Sequence, residues 1–194
     1  MEKTLNLNGR LVSLETPLVM GIVNVTPDSF YADSRKEGEA AIDARIQQIL
    51  AEGGDLIDLG GYSSRPDAAE VTPEEEMRRL EVALRILNQH YPEIPVSVDT
   101  FRADIARRCV EEYGVAMIND ISGGELDPAM FATVAALHVP YILMHMRGTP
   151  QTMQQLLKPG KFFFPVLKFF NIQNRHPITH SKFFHYTSQF WRPL

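Results

Sequence analysis

The chain reads as an α/β protein with about five parallel strands, preceded by a β-hairpin. Three observations predict it. Short apolar runs alternate with helix-patterned segments between residues 18 and 145, as expected of βα units joined by right-handed crossovers. Residues 4–14 alternate around Asn8-Gly9, a strong short-range hairpin signal. Each apolar run also ends in polar residues. A (β/α)8 barrel and a doubly wound sheet both fit, and the periodicity tips toward the barrel only slightly.

The first strand is predicted at about 18–24, inside the apolar run Leu18 to Val25, which suits a fully buried strand. Pro27 fixes its own φ and restricts Thr26, so Thr26-Pro27-Asp28-Ser29 forms a shaped loop. A helix follows near 38–51, with Ile42, Ile46, Ile49 and Leu50 on one stripe and Gly53-Gly54 as its stop. Leu56 to Leu59 is the second strand. Thr72-Pro73-Glu74-Glu75 supplies an N-cap, a proline at the first helical position and a capping-box carboxylate. Met77, Leu80, Leu84 and Leu87 are the buried stripe of that helix. The third strand spans Val96 to Asp99, a helix runs over about 102–112, and the fourth strand spans Val115 to Asn119. Asp127-Pro128 begins the next helix, with Phe131, Val134 and Leu137 inward, and Tyr141 to His145 is the fifth strand.

The strand ends bear on function. They carry Asn24; Gly60-Gly61-Tyr62-Ser63-Ser64-Arg65-Pro66; Asp99-Thr100; Asn119-Asp120; and Met144-His145-Met146-Arg147. A barrel assembles its site from such βα loops. Each group alone reads as a cap or turn residue, but five in succession do not. Asp99 and Asn119 offer a carboxylate and an amide to the donor–acceptor edge of a polar heterocycle. Asn24 offers a neutral oxygen suited to Mg²⁺, which takes a few protein oxygens with diphosphate and water. Ser63, Ser64 and Arg65 offer hydroxyls and a fork-shaped cation for phosphate oxygens or a carboxylate. Asp28/Asp33 and Asp55/Asp58 could suggest acid–base work, but Asp55 and Asp58 flank an apolar strand and read as structural. No P-loop, Cys or His metal pattern or nucleophile elbow is visible.

Composition excludes other classes. Apolar residues make up 44% and charged residues 22% of the 194, a globular balance. The single Cys109 rules out an internal disulfide framework. The start shows no secretory signal, and no window approaches the ~18 consecutive apolar residues of a membrane span, so the cytoplasm is the expected compartment. The net charge of −5 is split: the first 156 residues hold 13 basic against 24 acidic groups, a net −11, and residues 157–194 carry +6. The latter also hold 8 of the 11 Phe and the only Trp.

Five strings together are highly specific: Met-Gly-Ile-Val-Asn-Val-Thr-Pro-Asp-Ser-Phe at 20–30, Gly60 to Pro66, Val-Ser-Val-Asp-Thr at 96–100, Ile-Asn-Asp-Ile at 118–121 and Met-His-Met-Arg-Gly-Thr-Pro at 144–150. The chain resembles dihydropteroate synthases, the folate-pathway transferases, over about residues 18–156. The resemblance implies a TIM (β/α)8-barrel family fold, here an incomplete barrel. It also implies displacement of diphosphate from hydroxymethyl-dihydropterin diphosphate by the amine of p-aminobenzoate, giving dihydropteroate. By resemblance, Asp99 and Asn119 hold the pterin, with Ile121 and Met144 lining its slot. Asn24 binds Mg²⁺ carrying the diphosphate, and Ser64 contacts the diphosphate. Thr26, Pro27, Asp28, Ser29 and Phe30, with Ser63, Arg65 and Pro66, belong to two loops over the p-aminobenzoate site, where sulfonamides compete. Asp99 and Arg65 are the implied catalytic groups: the first shares the positive charge of the pterin cation, the second neutralises the leaving group. The implied partners are these small molecules, with neither nucleic acid nor membrane, and a homodimer in full-length members.

Two departures are local, since many members carry Glu in place of Tyr62 and Gly in place of Asp67. A third is larger: the family's later Asp-Pro-Gly-Phe-Gly segment, pterin-binding Lys and final Arg-x-His are not found. Residues 157–194 read as a separate basic, Phe-rich tail, as from a frameshift or misjoined reading frame. The tail shows no strand pattern suited to extend the sheet, so the first and fifth strands are expected to be free edges, and the chain is expected to be an impaired enzyme. His176, His180 and His185 lack carboxylates to orient them as a metal cluster. The alternatives are a pterin-binding domain that passes a methyl group from a methyl-folate to a corrinoid protein, a catalytically dead pterin-binding fragment, and a basic-tail interaction module.

Overall fold

The structure, a computed structural model, describes residues 4–25, 35–62, 71–144 and 167–170. The hairpin forms as expected: β1 (Thr4–Leu7) pairs antiparallel with β2 (Arg10–Ser13). Asn8 and Gly9 take positive φ, 52° and 83°, the pair that a tight turn of this twist demands. The Asn6 side chain accepts from the Gly9 amide at 2.7 Å, and the Asn8 side-chain Nδ2 donates to the Gly114 carbonyl at 2.6 Å, fixing the hairpin to the main body.

The main sheet comprises β3 (Met20–Asn24), β4 (Leu56–Gly60), β5 (Val96–Asp99), β6 (Met117–Asp120), β7 (Tyr141–Met144) and β8 (Leu167–Phe170), in that order across the sheet. β3 to β7 are parallel. The helices α1 (Arg35–Ala51), α2 (Pro73–His90), α3 (Ala103–Tyr113) and α4 (Met130–Leu137) connect them. Strictly sequential strand order, never reversing, is the barrel's pattern and not that of a doubly wound sheet. β8 corrects one expectation: residues 167–170 pair antiparallel with β7, so the β7 edge is not free. Four residues suffice for an edge strand, and Leu-Lys-Phe-Phe supplies apolar and aromatic groups of the kind strands favour.

Alternation along the strands sorts two apolar clusters. Val23, Ile57, Leu59, Val98 and Ile118 pack with Ile42, Ile46, Ile49, Met77, Leu80, Leu84 and Leu87 of the helices. Fully burying a side chain of this kind contributes about 1.5–3 kcal/mol. Gly21 lies on this face, where a Cβ would collide with Ile49. A second cluster joins Leu5 and Leu7 of the hairpin to Leu56, Met117 and Ile142, so the hairpin closes the N-terminal end of the sheet on the other face.

Thr72 caps α2, its hydroxyl accepting from the Glu75 amide at 3.3 Å. The Glu75 carboxylate does not complete a capping box. It pairs with Arg78 at 2.6 Å and Arg79 at 2.7 Å, since two guanidiniums outcompete one amide, and they hold its carboxyl down at about 2. Asp127 starts a turn ahead of α4, its side chain accepting from the amides of Ala129 and Ala103. Phe131 is 39% exposed, not inward as expected; its ring covers Gly124 and meets the edge of Tyr141 at 5.9 Å.

Candidate active site

The parallel register aligns Asn24 with Gly60, Gly60 with Asp99, and Asp99 with Asn119. Three of the polar residues singled out from separate segments therefore form one row across four adjacent strands, at their C-terminal ends. Gly60 leaves space in that row: a Cβ there would sit 3.2 Å from Asn24 Oδ1. Asn24 is exposed, and Asp99 and Asn119 are half-buried. Ile121 and Met144, expected to line the same slot, are also half-buried. Thr26, Pro27, Asp28, Ser29, Phe30, Ser63, Ser64, Arg65 and Pro66 lie outside the described residues, as do Asp33 and the expected division of the chain at residue 156.

A second row lies one step below. Ile22 aligns with Asp58, and Asp58 with Ser97. Asp58 and Ser97 are 3% and 0% exposed. Asn119 Nδ2 donates to Asp58 Oδ2 at 2.9 Å, although β5 separates their strands. Asp58 Oδ1 and Ser97 Oγ, both fully buried, have no hydrogen-bond partner of good geometry. Sequence reading set Asp58 aside with Asp55. Asp55 is structural, its Oδ2 accepting from the Val19 amide at 2.7 Å. Asp58 instead holds the amide of Asn119, a residue of the row above. The missed signal was the period of two: Asp58 precedes Gly60, and Ser97 precedes Asp99, by one full alternation.

The site is rich in carboxylates. Burial, and then the charges of Asp58, Asp120 and Glu76, push the Asp99 carboxyl up to about 8. Burial also raises that of Asp58. Asp120 turns away from the row and shapes the β6–α4 turn: it accepts from the Ser122 amide and hydroxyl at 2.7 Å, the Gly124 amide at 2.8 Å and the Tyr141 hydroxyl at 2.5 Å. Glu76, fully buried in the first turn of α2, pairs with Arg102 and accepts from the Thr100 hydroxyl at 2.7 Å. Arg102 also reaches the Val71 carbonyl at 2.6 Å, and Arg79 the Gly61 carbonyl at 3.1 Å. Tyr62 and Phe101 stack edge to face at 5.2 Å beside Arg102.

A carboxylate and an amide, side by side over a polar floor at the open end of parallel strands, suit a heterocycle with several N–H donors. Residues 20–176 match the pterin binding enzyme family. The chain belongs to the pterin binding enzymes. It is 39% identical over 155 residues to a dihydropteroate synthase of a Synechocystis species, covering 80% of this chain and 53% of that one. A mitochondrial folate synthesis bifunctional protein of Pisum sativum is 42% identical over 150 residues, 76% of this chain and 29% of that one. The solved dihydropteroate synthase of Xanthomonas albilineans with 4-aminobenzoic acid superposes with a TM-score of 0.67 at 41% identity, over 76% of this chain and 53% of that one. This pterin binding enzyme thus spans about half the length of the dihydropteroate synthases it matches. No helix among its described residues is long and apolar enough to cross a membrane.

Proposed function

We propose that this chain carries the pterin-binding half of a dihydropteroate synthase site. In the proposed reaction, the amine of p-aminobenzoate attacks the exocyclic methylene of hydroxymethyl-dihydropterin diphosphate. The carbon–oxygen bond to diphosphate breaks, diphosphate leaves, and the amine gives up a proton. The observation that carries the reading is the row Asn24, Gly60, Asp99, Asn119.

Each residue has a role in this reading. Asp99 and Asn119 hold the ring edge, while Ile121 and Met144 flank it. Asp99, whose carboxyl burial and the neighbouring carboxylates push up to about 8, ionises more readily when a cationic or donor-rich ring lies beside it, and so stabilises charge as diphosphate departs. Ser64 and Arg65 are proposed for the diphosphate; residues 26–30 with Ser63 and Pro66 are proposed for p-aminobenzoate. Among the described residues no three His, Cys, Asp or Glu cluster as a metal cage. Mg²⁺ does not need one where phosphate and water complete its shell, and Asn24, exposed at the end of the row, fits that demand. Bound there, Mg²⁺ would neutralise charge on the leaving diphosphate. The proposed partners are small molecules, not nucleic acid or membrane, in a cytoplasmic setting; a homodimer is proposed on the family resemblance alone.

The test supplies both substrates and Mg²⁺ to the purified chain and follows pteroate by chromatography, with pterin binding measured by titration calorimetry. Pterin binding that is lost in Asp99→Ala and Asn119→Ala is the expected result, together with product in the parent. A parent chain that binds no pterin would overturn the reading. Methyl transfer from a methyl-folate to a corrinoid, without pteroate, would replace it with the alternative activity.

A further inference from the structure

We infer that Asp58 is a positioning residue that fixes which way the Asn119 amide faces, and thereby makes the site select ligands bearing an N–H donor at that point. The inference rests on the proposed pterin site and assigns a residue to its selectivity. The group that Asn119 turns toward Asp58 is its NH₂, which can only donate. The bond is Asn119 Nδ2 to Asp58 Oδ2 at 2.9 Å. Nδ2 is thereby committed to the floor, and the amide oxygen is the end left for a ligand in the row above. With Asp99 beside it, the site then offers two acceptors side by side.

The bond's path makes it more than local packing. Asp58 and Asn119 are 61 residues apart, on strands separated by β5. The Asp58 side chain therefore reaches over β5, past Ser97, its register partner, to a residue one row higher. Asp58 is 3% exposed, and burial raises its carboxyl while the side chains of Ser97 and Asn119 offset part of that penalty. A neutral residue would serve packing alone, whereas a buried acceptor beneath an amide has a use in orienting it. Asp58 Oδ1 and Ser97 Oγ have no partner of good geometry, and the Ser97 hydroxyl gives Asp58 a weaker contact, so the well-formed bond of Asp58 is the one to Asn119.

The experiment compares 6-hydroxymethylpterin with its 2-oxo analogue, in which the 2-amino donor is replaced by an acceptor, using the full chain and titration calorimetry. The parent should favour the amino compound by about tenfold or more, the cost of an acceptor facing an acceptor. Asp58→Asn frees the Asn119 amide to turn, since a neutral amide can donate or accept, and the preference should fall to within about threefold. The double variant D58N/N119D exchanges donor and acceptor across the same bond, presents a carboxylate oxygen to the ligand, and should regain the parental preference. An Asp58→Asn protein with undiminished preference overturns the inference. If Asp58→Asn alone does not fold, the double variant decides: folded protein lacking the parental preference overturns it, and regained preference supports it. A parent that binds neither compound fails at the proposed function, and the inference falls with it. A parent that binds both equally defeats the inference alone.

Discussion

Replacing Asp99 by Asn should make the chain more stable in mild alkali while abolishing its ligand affinity. The carboxyl of Asp99 is pushed from 3.8 to about 8, first by burial and then by the charges of Asp58, Asp120 and Glu76. Because its folded pKa lies above its unfolded one, the folded chain holds the extra proton between those limits. Stability is therefore lost as pH rises through the window from about 4 to about 8. The full displacement corresponds to about 6 kcal/mol at about 1.4 kcal/mol per pKa unit. Asp99 is half-buried at the open end of the strands, and solvent screening reduces the working figure to about 2–3 kcal/mol. Urea unfolding of parent and Asp99→Asn, followed by far-ultraviolet circular dichroism from about pH 5 to about pH 9, measures it directly. The two stability curves should draw together at the acid end, with the variant ahead by that amount at the alkaline end. Parallel curves would refute the reasoning, because they would show that Asp99 titrates alike folded and unfolded.

Other predictions concern separate parts of the molecule. Asn24→Ala should weaken the Mg²⁺ dependence of diphosphate-substrate binding and leave free pterin binding within about twofold, since a terminal neutral oxygen acts through the diphosphate; superimposable Mg²⁺ titrations would rule Asn24 out. Glu76→Ala strands Arg102 and the Thr100 hydroxyl and should lower the unfolding free energy by about 3 kcal/mol, read as a shifted urea midpoint. Cys109 is fully buried, and burial pushes its thiol up to about 12. Iodoacetamide should label it only as fast as the chain opens, whereas labelling at the rate of a free thiol would show that α3 does not protect it.

The parts of this fold legible in the sequence were those set by local chemistry. Asn8-Gly9 demanded positive φ at adjacent positions and could hardly be anything but a turn. Thr72-Pro73 could cap and start a helix but not continue a strand. The stripe of α2 followed from a spacing that only a helix puts on one side. What was not legible depended on neighbours far along the chain. Glu75 met Arg78 and Arg79 in place of its own cap amide. Phe131 covered a glycine in the preceding turn instead of entering the core. Residues 167–170 found an edge to pair with, which a segment crowded with Lys and Pro gives little reason to expect. In the site, Asn24, Asp99 and Asn119 stood out because each ends an apolar run. Asp58 did not, because it sits inside one, and its use appears only when β4 and β6 are brought to either side of β5.

Two arginines, Arg79 in α2 and Arg102 just before α3, hold the backbone on either side of residues 63–70 and bear on how this site can change over generations. Arg79 grips the carbonyl of Gly61 and Arg102 that of Val71. Both answer to neighbouring glutamates, Glu75 and Glu76, in a single helical turn. The points where the chain leaves the sheet and returns to α2 are thus set by residues outside the stretch 63–70. Substitutions within that stretch leave these anchoring residues unchanged. If the proposed role of Ser63, Arg65 and Pro66 at the p-aminobenzoate site holds, changes in the preference for that substrate, or for a molecule that mimics it, carry little penalty at these two anchors. A change at Glu76 has the opposite character: it loosens one anchor and unsettles the buried start of α2, so drift at that position is constrained however freely the loop diversifies.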